Sequence, residues 1–478
     1  MRRATVYARK ASMAFYAPHS RLQQAAALRA AFLQADGLPL DDVLTAADVV
    51  TAFADAGSDC HGSATAIFTP LLTLWAFLGQ LLHSDHSCRA AVLRTIVLCA
   101  ALARPIPATD TAAYCRARAR LPTAALRRLA TALGSRLEDH AAEEWLWQGR
   151  HVKLVDGSTS QVPDSPANRE AFPPRRQRRL LSYPLIRWVV LVSLATAGVL
   201  DFNYGPYQGK QTGELALARP VLAALSPGDV LLADRYFCTW FTVAVAQRQG
   251  VDVVARLHAA RDQDFRVGAR YGHGERLMVW GRPPRPEWLD EATYQDLPRH
   301  LRVRELLVHV TIPGRRTRRL LVATTLLDRG RYNREAVASL YGARWQVELD
   351  IRSLKSHLGL GELRCQSPAM LAKELWGGLL AYNLARKVGC QAALLRGLRP
   401  RQVSFTAARQ ALCAGWQQRV LSADEERLRS GAALLERLGQ ERVGDRPDRV
   451  EPRVVKRGAK GYPRLRQPRA QARARLQR

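Results

Sequence analysis

The chain has 478 residues, with 72 Lys and Arg against 42 Asp and Glu, a formal net charge of +30. That length can bury a large core in roughly two to four domains. The charge calls for a polyanion, with nucleic acid the default partner and an anionic membrane surface the runner-up. No apolar run of about 20 residues is present, the basic start Met1-Arg-Arg-Ala-Thr5 lacks the apolar segment of a secretory signal, and the 8 cysteines include no Cys-x-x-Cys pair. A membrane span and a disulfide framework are therefore disfavoured, and a cytoplasmic protein is expected.

Residues 1–145 read as helical. Apolar periodicity runs through Ala25, Leu28, Phe32 and Leu33, and again through Pro70, Leu71, Leu74, Phe77, Leu78 and Leu81. After Arg116, Arg118 and Arg120, Pro122-Thr123 opens another helix with Leu126, Leu129 and Leu133. A basic helical domain of this kind can dock a helix in a DNA groove, or serve as a scaffold or dimerisation bundle. Cys60, His61, His83, His86 and Cys88 form a cluster of soft ligands, but their spacings match no zinc module and core or solvated positions are the simpler reading.

From His151 the period changes to two, as in a strand, over 151–156. The stretch 157–182, with Pro173-Pro-Arg-Arg176, reads as a loop. Residues 185–195 and 199–204 read as a hairpin about Thr196-Ala-Gly198. Then follow a helix at 214–225, a strand at 229–234, a helix at 238–249 and a strand at 251–257. Strand-like runs at 277–280, 301–311 and 318–326, divided by Pro283-Pro-Arg-Pro286 and Pro313-Gly314, read as a β-rich insertion at about 258–330. Helices are expected at 369–396 and after Pro400. From Arg442 the basic, Pro-containing tail has too few apolar residues to anchor a core. The expected division is 1–145, 146–400 and 401–478.

The chemistry concentrates in Tyr341-Gly-Ala-Arg344-Trp-Gln-Val-Glu348, continuing to Lys355. At ~100° per residue, Tyr341, Arg344, Glu348 and Lys355 share an arc of about 60° on one helix. Leu340, Val347, Ile351, Leu354 and Leu358 form an apolar stripe beside it. Upstream, Asp156 and Asp234 each end an apolar run. Taken singly, Asp156 reads as a turn residue, Asp234 as a local partner of Arg235, and Glu348 as one of a helix-surface ion-pair series. Three acids on three elements beside cations suit two divalent ions about 3.5–4 Å apart, held against a phosphate. Hard carboxylate oxygens favour Mg²⁺, with Mn²⁺ able to substitute, over zinc. Arg344 can grip a phosphate bidentately, and Tyr341 and Lys355 can reach backbone oxygens. Trp345, Trp280 and Trp288 offer flat faces for a displaced base. Glu214 is the strongest spare carboxylate and reads as a helix cap. No Gly-x-x-x-x-Gly-Lys-Ser/Thr and no Gly-x-Ser-x-Gly occurs, so neither ATP use nor a serine hydrolase has an anchor.

The spacing Tyr341-x2-Arg344-x3-Glu348-x6-Lys355, with Val155-Asp156-Gly157-Ser158-Thr159 and Leu232-Ala233-Asp234-Arg235-Tyr236-Phe237, resembles the DDE transposases of bacterial insertion sequences. The matching branch is the one marked by a Tyr-Arg-Glu-Lys signature. Cys88-Arg89 and Tyr114-Cys-Arg-Ala-Arg118 are similar to that family's N-terminal domain. The resemblance implies an RNase H-like mixed α/β catalytic core, its strands ordered 3-2-1-4-5 so that Asp234 lies beside Asp156, with Glu348 closing the site from a helix. It implies Mg²⁺-dependent cleavage at the ends of a mobile element and strand transfer into target DNA by a cut-and-paste route, in this branch often through a hairpin end. It also implies a homodimer on paired double-stranded ends, with 400–438 a candidate dimerisation segment. A tryptophan of the insertion, Trp280 or Trp288, would stack on a flipped base. The competing expectations are a nuclease of the same core that cuts without joining, and a catalytically silent, transposase-derived DNA-binding protein.

Overall fold

The computed structural model describes residues 46–60, 66–101, 104–174, 183–309, 319–421 and 433–443, with a few isolated positions besides. The expected helix at 25–33, His61, the Arg-rich stretch 175–182, the Pro313-Gly314 turn and nearly all of the basic tail lie outside these residues. In chain order the helices are α1 (Ala46–Asp55), α2 (Pro70–Leu82), α3 (Cys88–Ala101), α4 (Ala112–Arg120), α5 (Thr123–Asp139), α6 (Pro166–Ala171), α7 (Glu214–Leu222), α8 (Trp240–Arg248), α9 (Glu291–Asp296), α10 (Arg334–Gly342), α11 (Gln346–Arg352), α12 (Pro368–Leu395) and α13 (Phe405–Leu421). The strands are β1 (Val152–Gln161), β2 (Leu185–Ser193), β3 (Val199–Pro206), β4 (Val230–Ala233), β5 (Asp252–Arg256), β6 (Ala269–Gly272), β7 (Glu275–Gly281), β8 (His300–His309) and β9 (Arg319–Thr324). No helix among the described residues is long and apolar enough to cross a membrane.

The described residues form two compact units, each assembled from separate stretches: those of 46–145 with 195–201 and 350–443, and those of 146–194 with 202–349. In the first, α12 starts with Pro368 in its first turn, where a missing N–H costs nothing. It is buried along most of its length. Its polar residues are therefore satisfied internally. Asn383 donates to the carbonyls of Ala130 (2.9 Å) and Val199 (2.8 Å), and accepts from the Val199 N–H (2.8 Å). Arg386 and Arg401 both pair with Asp350, which is fully buried, at 2.8 and 2.9 Å.

The second unit is built on a nine-stranded sheet ordered β3-β2-β1-β4-β5-β9-β8-β7-β6. Its first five strands follow the RNase H-like order. β1 is antiparallel to β2 and parallel to β4, and β4 is parallel to β5. Parallel strands are covered on both faces, which is why Leu154, Val155, Leu231, Leu232 and Val254 are all fully buried. β5 then pairs antiparallel with β9 through Val254–Thr324, Ala255–Ala323 and Arg256–Val322. Thr325 reinforces that seam: its hydroxyl accepts the Val253 N–H (2.9 Å) and donates to Asp252 (2.6 Å). The inserted strands thus extend the core sheet.

Two expectations are corrected. β1 does not stop at Asp156: Gly157–Gln161 continue it because β2 supplies a ladder, Gly157 opposite Val189 and Gln161 opposite Leu185. Small polar residues without periodicity read as loop when the partner strand is not known. The Tyr341–Lys355 stretch is not one uniform α-helix. α10 opens on the Asn333 cap (2.8 Å to the Ala336 N–H) and carries Tyr341 near its end. A 3₁₀ turn, Ala343–Trp345, leads into α11, and a π turn, Ser353–His357, holds Lys355. The 3₁₀ and π turns wind differently from an α-helix, so a uniform ~100° step does not hold through the stretch, yet Arg344 and Glu348 still meet at i,i+4. Lys355 falls in the first compact unit, Tyr341, Arg344 and Glu348 in the second.

Candidate active site

Register brings the two aspartates together. Leu154 of β1 lies opposite Leu232 of β4 in the parallel ladder. Asp156 and Asp234 each sit two residues further on, at the carboxyl ends of the paired segment. Asp234 ends β4 in a tight turn, its Oδ1 accepting the N–H groups of Tyr236 (2.7 Å) and Phe237 (3.3 Å). Asp156 Oδ1 accepts the Gly157 N–H at 2.8 Å. Burial pushes the Asp156 carboxyl up to about 6. The Gly157 N–H and Arg344 pull it down, and the charges of Asp234 and Glu348 push it further up.

The third acid arrives through Arg344. Its Nη1 lies 3.5 Å from Asp156 Oδ2, and its Nη2 donates to Glu348 Oε1. The guanidinium is largely buried while the Glu348 carboxylate is exposed (18% against 59%). Tyr341 is buried beside Arg344, and that burial raises its hydroxyl to about 12, so it stays a neutral phenol at physiological pH. Among the described residues no three His, Cys, Asp or Glu side chains converge closely enough to hold one ion together. Here a cationic guanidinium stands between two of the three carboxylates. The donor set of carboxylate oxygens suits a hard divalent cation, and the guanidinium marks where positive charge is accommodated.

The tryptophans separate. Trp280 is not available for stacking: it is 2% exposed, its indole N–H donates to Glu305 (3.0 Å), and Arg261 covers its face at 4.0 Å. Trp288 is partly exposed (38%), with Arg219 over its ring at 4.1 Å and Phe241 edge-on. Trp345 is exposed in the 3₁₀ turn, next in sequence to Arg344.

Sequence reading missed the packing of Glu214 on Gly157. Glu214 does not cap α7 through its side chain; Gly213 is the cap residue and makes no side-chain bond. Instead Glu214 folds over Gly157, where a Cβ would fall 2.7 Å from its Cδ. Burial raises the Glu214 carboxyl, Arg187 opposes that, and Asp234 adds to it. The signal was a glycine directly after Asp156, which needed the partner helix to be interpreted. The insertion hides a further network: Arg276 with Glu305 and Arg304 with Glu275, both at 2.7 Å and nearly or fully buried, cross between β7 and β8.

Residues 147–384 match the family described as the transposase DDE domain. Transposase InsG for insertion sequence element IS4, from Escherichia coli (strain K12), is 25% identical over 405 residues, covering 82% of this chain and 86% of that protein. The cryo-EM structure of the piggyBac transposase synaptic complex with hairpin DNA is similar over 82% of both chains at 10% identity, with a TM-score of 0.36, a likeness too distant to bear on the site. A domain of this kind takes DNA as its partner and implies a divalent metal. With that domain on an RNase H-like sheet, and a relative that extends over most of its length, the chain is a DDE transposase, an enzyme of DNA strand cleavage and joining.

Proposed function

We propose that the chain is a cut-and-paste transposase of the branch with the Tyr-Arg-Glu-Lys signature, whose Asp156, Asp234 and Glu348 hold the catalytic metal, two Mg²⁺ ions with Mn²⁺ able to substitute. The observation that carries this reading is the strand register that sets Asp156 beside Asp234, with Glu348 tied to Asp156 through Arg344. Asp156, Asp234 and Glu348 would hold the ions, which when bound would supply activation of the attacking oxygen and charge stabilisation at the leaving one in phosphodiester transfer. Asp156 and Asp234, on adjacent strand ends, present oxygens from a rigid sheet. Glu348, on α11, is exposed enough to swing toward them. Arg344 grips a phosphate oxygen of the scissile strand bidentately. Tyr341, a neutral phenol, donates a hydrogen bond to that or the next phosphate. Lys355 neutralises a further backbone oxygen, and Trp345 and Trp288 offer faces to unstacked bases.

The substrate is double-stranded DNA at the element's terminal repeats, then target DNA, and the working form is a homodimer on paired ends in the cytoplasm at the nucleoid. The net charge of +30 supports phosphate contact along an extended duplex. The test is gel-resolved cleavage of DNA carrying the element's ends with Mg²⁺, comparing the native protein with Glu348→Gln. Cutting by the native protein alone, with binding retained by the variant, is expected. Equal cutting by both removes Glu348 from the site.

A further inference from the structure

Arg344 is bonded to two of the groups proposed to bind metal, and this inference rests on that reading. Its guanidinium joins Asp156 to Glu348, the inner carboxylate to the outer. A planar cation with parallel N–H donors satisfies carboxylates and phosphates by the same geometry, so it can pass from one to the other. It cannot share the gap with a divalent ion, because like charges at such distances repel strongly in a partly buried site. We infer that Arg344 holds the cation position in the DNA-free protein and cedes it when a DNA phosphate takes the guanidinium over, so that metal and DNA bind cooperatively.

The consequence is reciprocal: whatever factor DNA adds to metal affinity, metal adds to DNA affinity. A transposase away from its ends would then carry little metal and cut little.

The experiment titrates the full chain with Mn²⁺, following free Mn²⁺ by electron paramagnetic resonance, alone and with a duplex of the element's end. The native protein should bind Mn²⁺ weakly alone, and on the order of tenfold more tightly with the duplex, as expected for releasing a charge-assisted bond. Arg344→Gln should bind tightly without DNA and gain little from it. Arg344→Lys, which keeps charge but loses the fork, should fall between and serves if the glutamine variant fails to fold. Native-like weak binding by both variants overturns the inference. Asp156→Asn provides the separate check: if it binds Mn²⁺ as the native protein does with DNA present, the carboxylate reading itself fails, whatever Arg344 does.

Discussion

Asp156→Asn gives a prediction whose size follows from the site. The carboxyl is raised from its ordinary 3.8 to about 6 by burial, reinforced by Asp234 and Glu348. A group that holds its proton more tightly when folded adds stability below its unfolded value and loses it as pH rises through the folded one. The native, metal-free protein therefore loses stability between pH ~4 and ~6. Above that it carries the full cost of the buried charge. At about 1.4 kcal/mol per tenfold, the cost is about 3 kcal/mol. Asparagine keeps the shape and removes the charge. The variant should melt higher than the native protein at pH 8 without divalent metal, by roughly 5–10 °C in the transition of the sheet-containing unit. The gap should close toward pH 4. Mg²⁺ should then stabilise the native protein only slightly without DNA and more with a duplex of the element's end, and leave the variant unchanged. Differential scanning calorimetry across pH 4–8, with and without Mg²⁺, reads all of this. A variant that melts below the native protein at pH 8, or a gap constant with pH, refutes the argument that Asp156 is a buried charge awaiting a cation.

Other predictions follow from the surrounding structure. Gly157→Ala should cut stability by about 1–2 kcal/mol through the collision with Glu214, and adding Glu214→Ala should restore most of it, measured by a double-mutant denaturation cycle. Glu305→Ala should cost about 3–5 kcal/mol, because it strands the buried Arg276 and unbonds the Trp280 N–H; chemical denaturation checks it, and a loss under 1 kcal/mol contradicts it. Asn383→Leu should destabilise the helical unit by about 3 kcal/mol, since it strips the buried Val199 N–H of its acceptor and removes one bond each to the Ala130 and Val199 carbonyls, seen as a lower unfolding midpoint in urea.

The legible parts of the fold were those with local signals. The alternation before Asp156 and the apolar run before Asp234 marked strands, while their order in the sheet came only from the family resemblance. The Thr196-Ala-Gly198 turn stands where it was read, with Ala197 in the left-handed region at φ 60°. What escaped depended on partners far away in sequence. Gly157–Gln161 are a strand only because β2 lies alongside. Trp280 looked like a surface aromatic in a polar insertion until Glu305 and Arg261 were found closing over it. The buried Glu275-Arg276 and Arg304-Glu305 are each adjacent charges of the kind a solvated strand carries, and nothing local tells a paired interior charge from an exposed one. At the site, residue types and spacing gave the acids and cations, but the bridging position of Arg344 and the change of helical pitch around Trp345 needed coordinates.

The seam between β5 and β9 has a mechanical meaning. A single ladder, running from Val254–Thr324 to Arg256–Val322, carries the sheet from its core half into its inserted half. A load applied to β7 or β8 is transmitted through those amides and the Thr325 clasp to β5, next to β4, the strand that ends at Asp234. The sheet there behaves as a stiff plate with one narrow weld. Its two halves should exchange amide hydrogens at different rates, with the boundary falling at Val254 and Ala255.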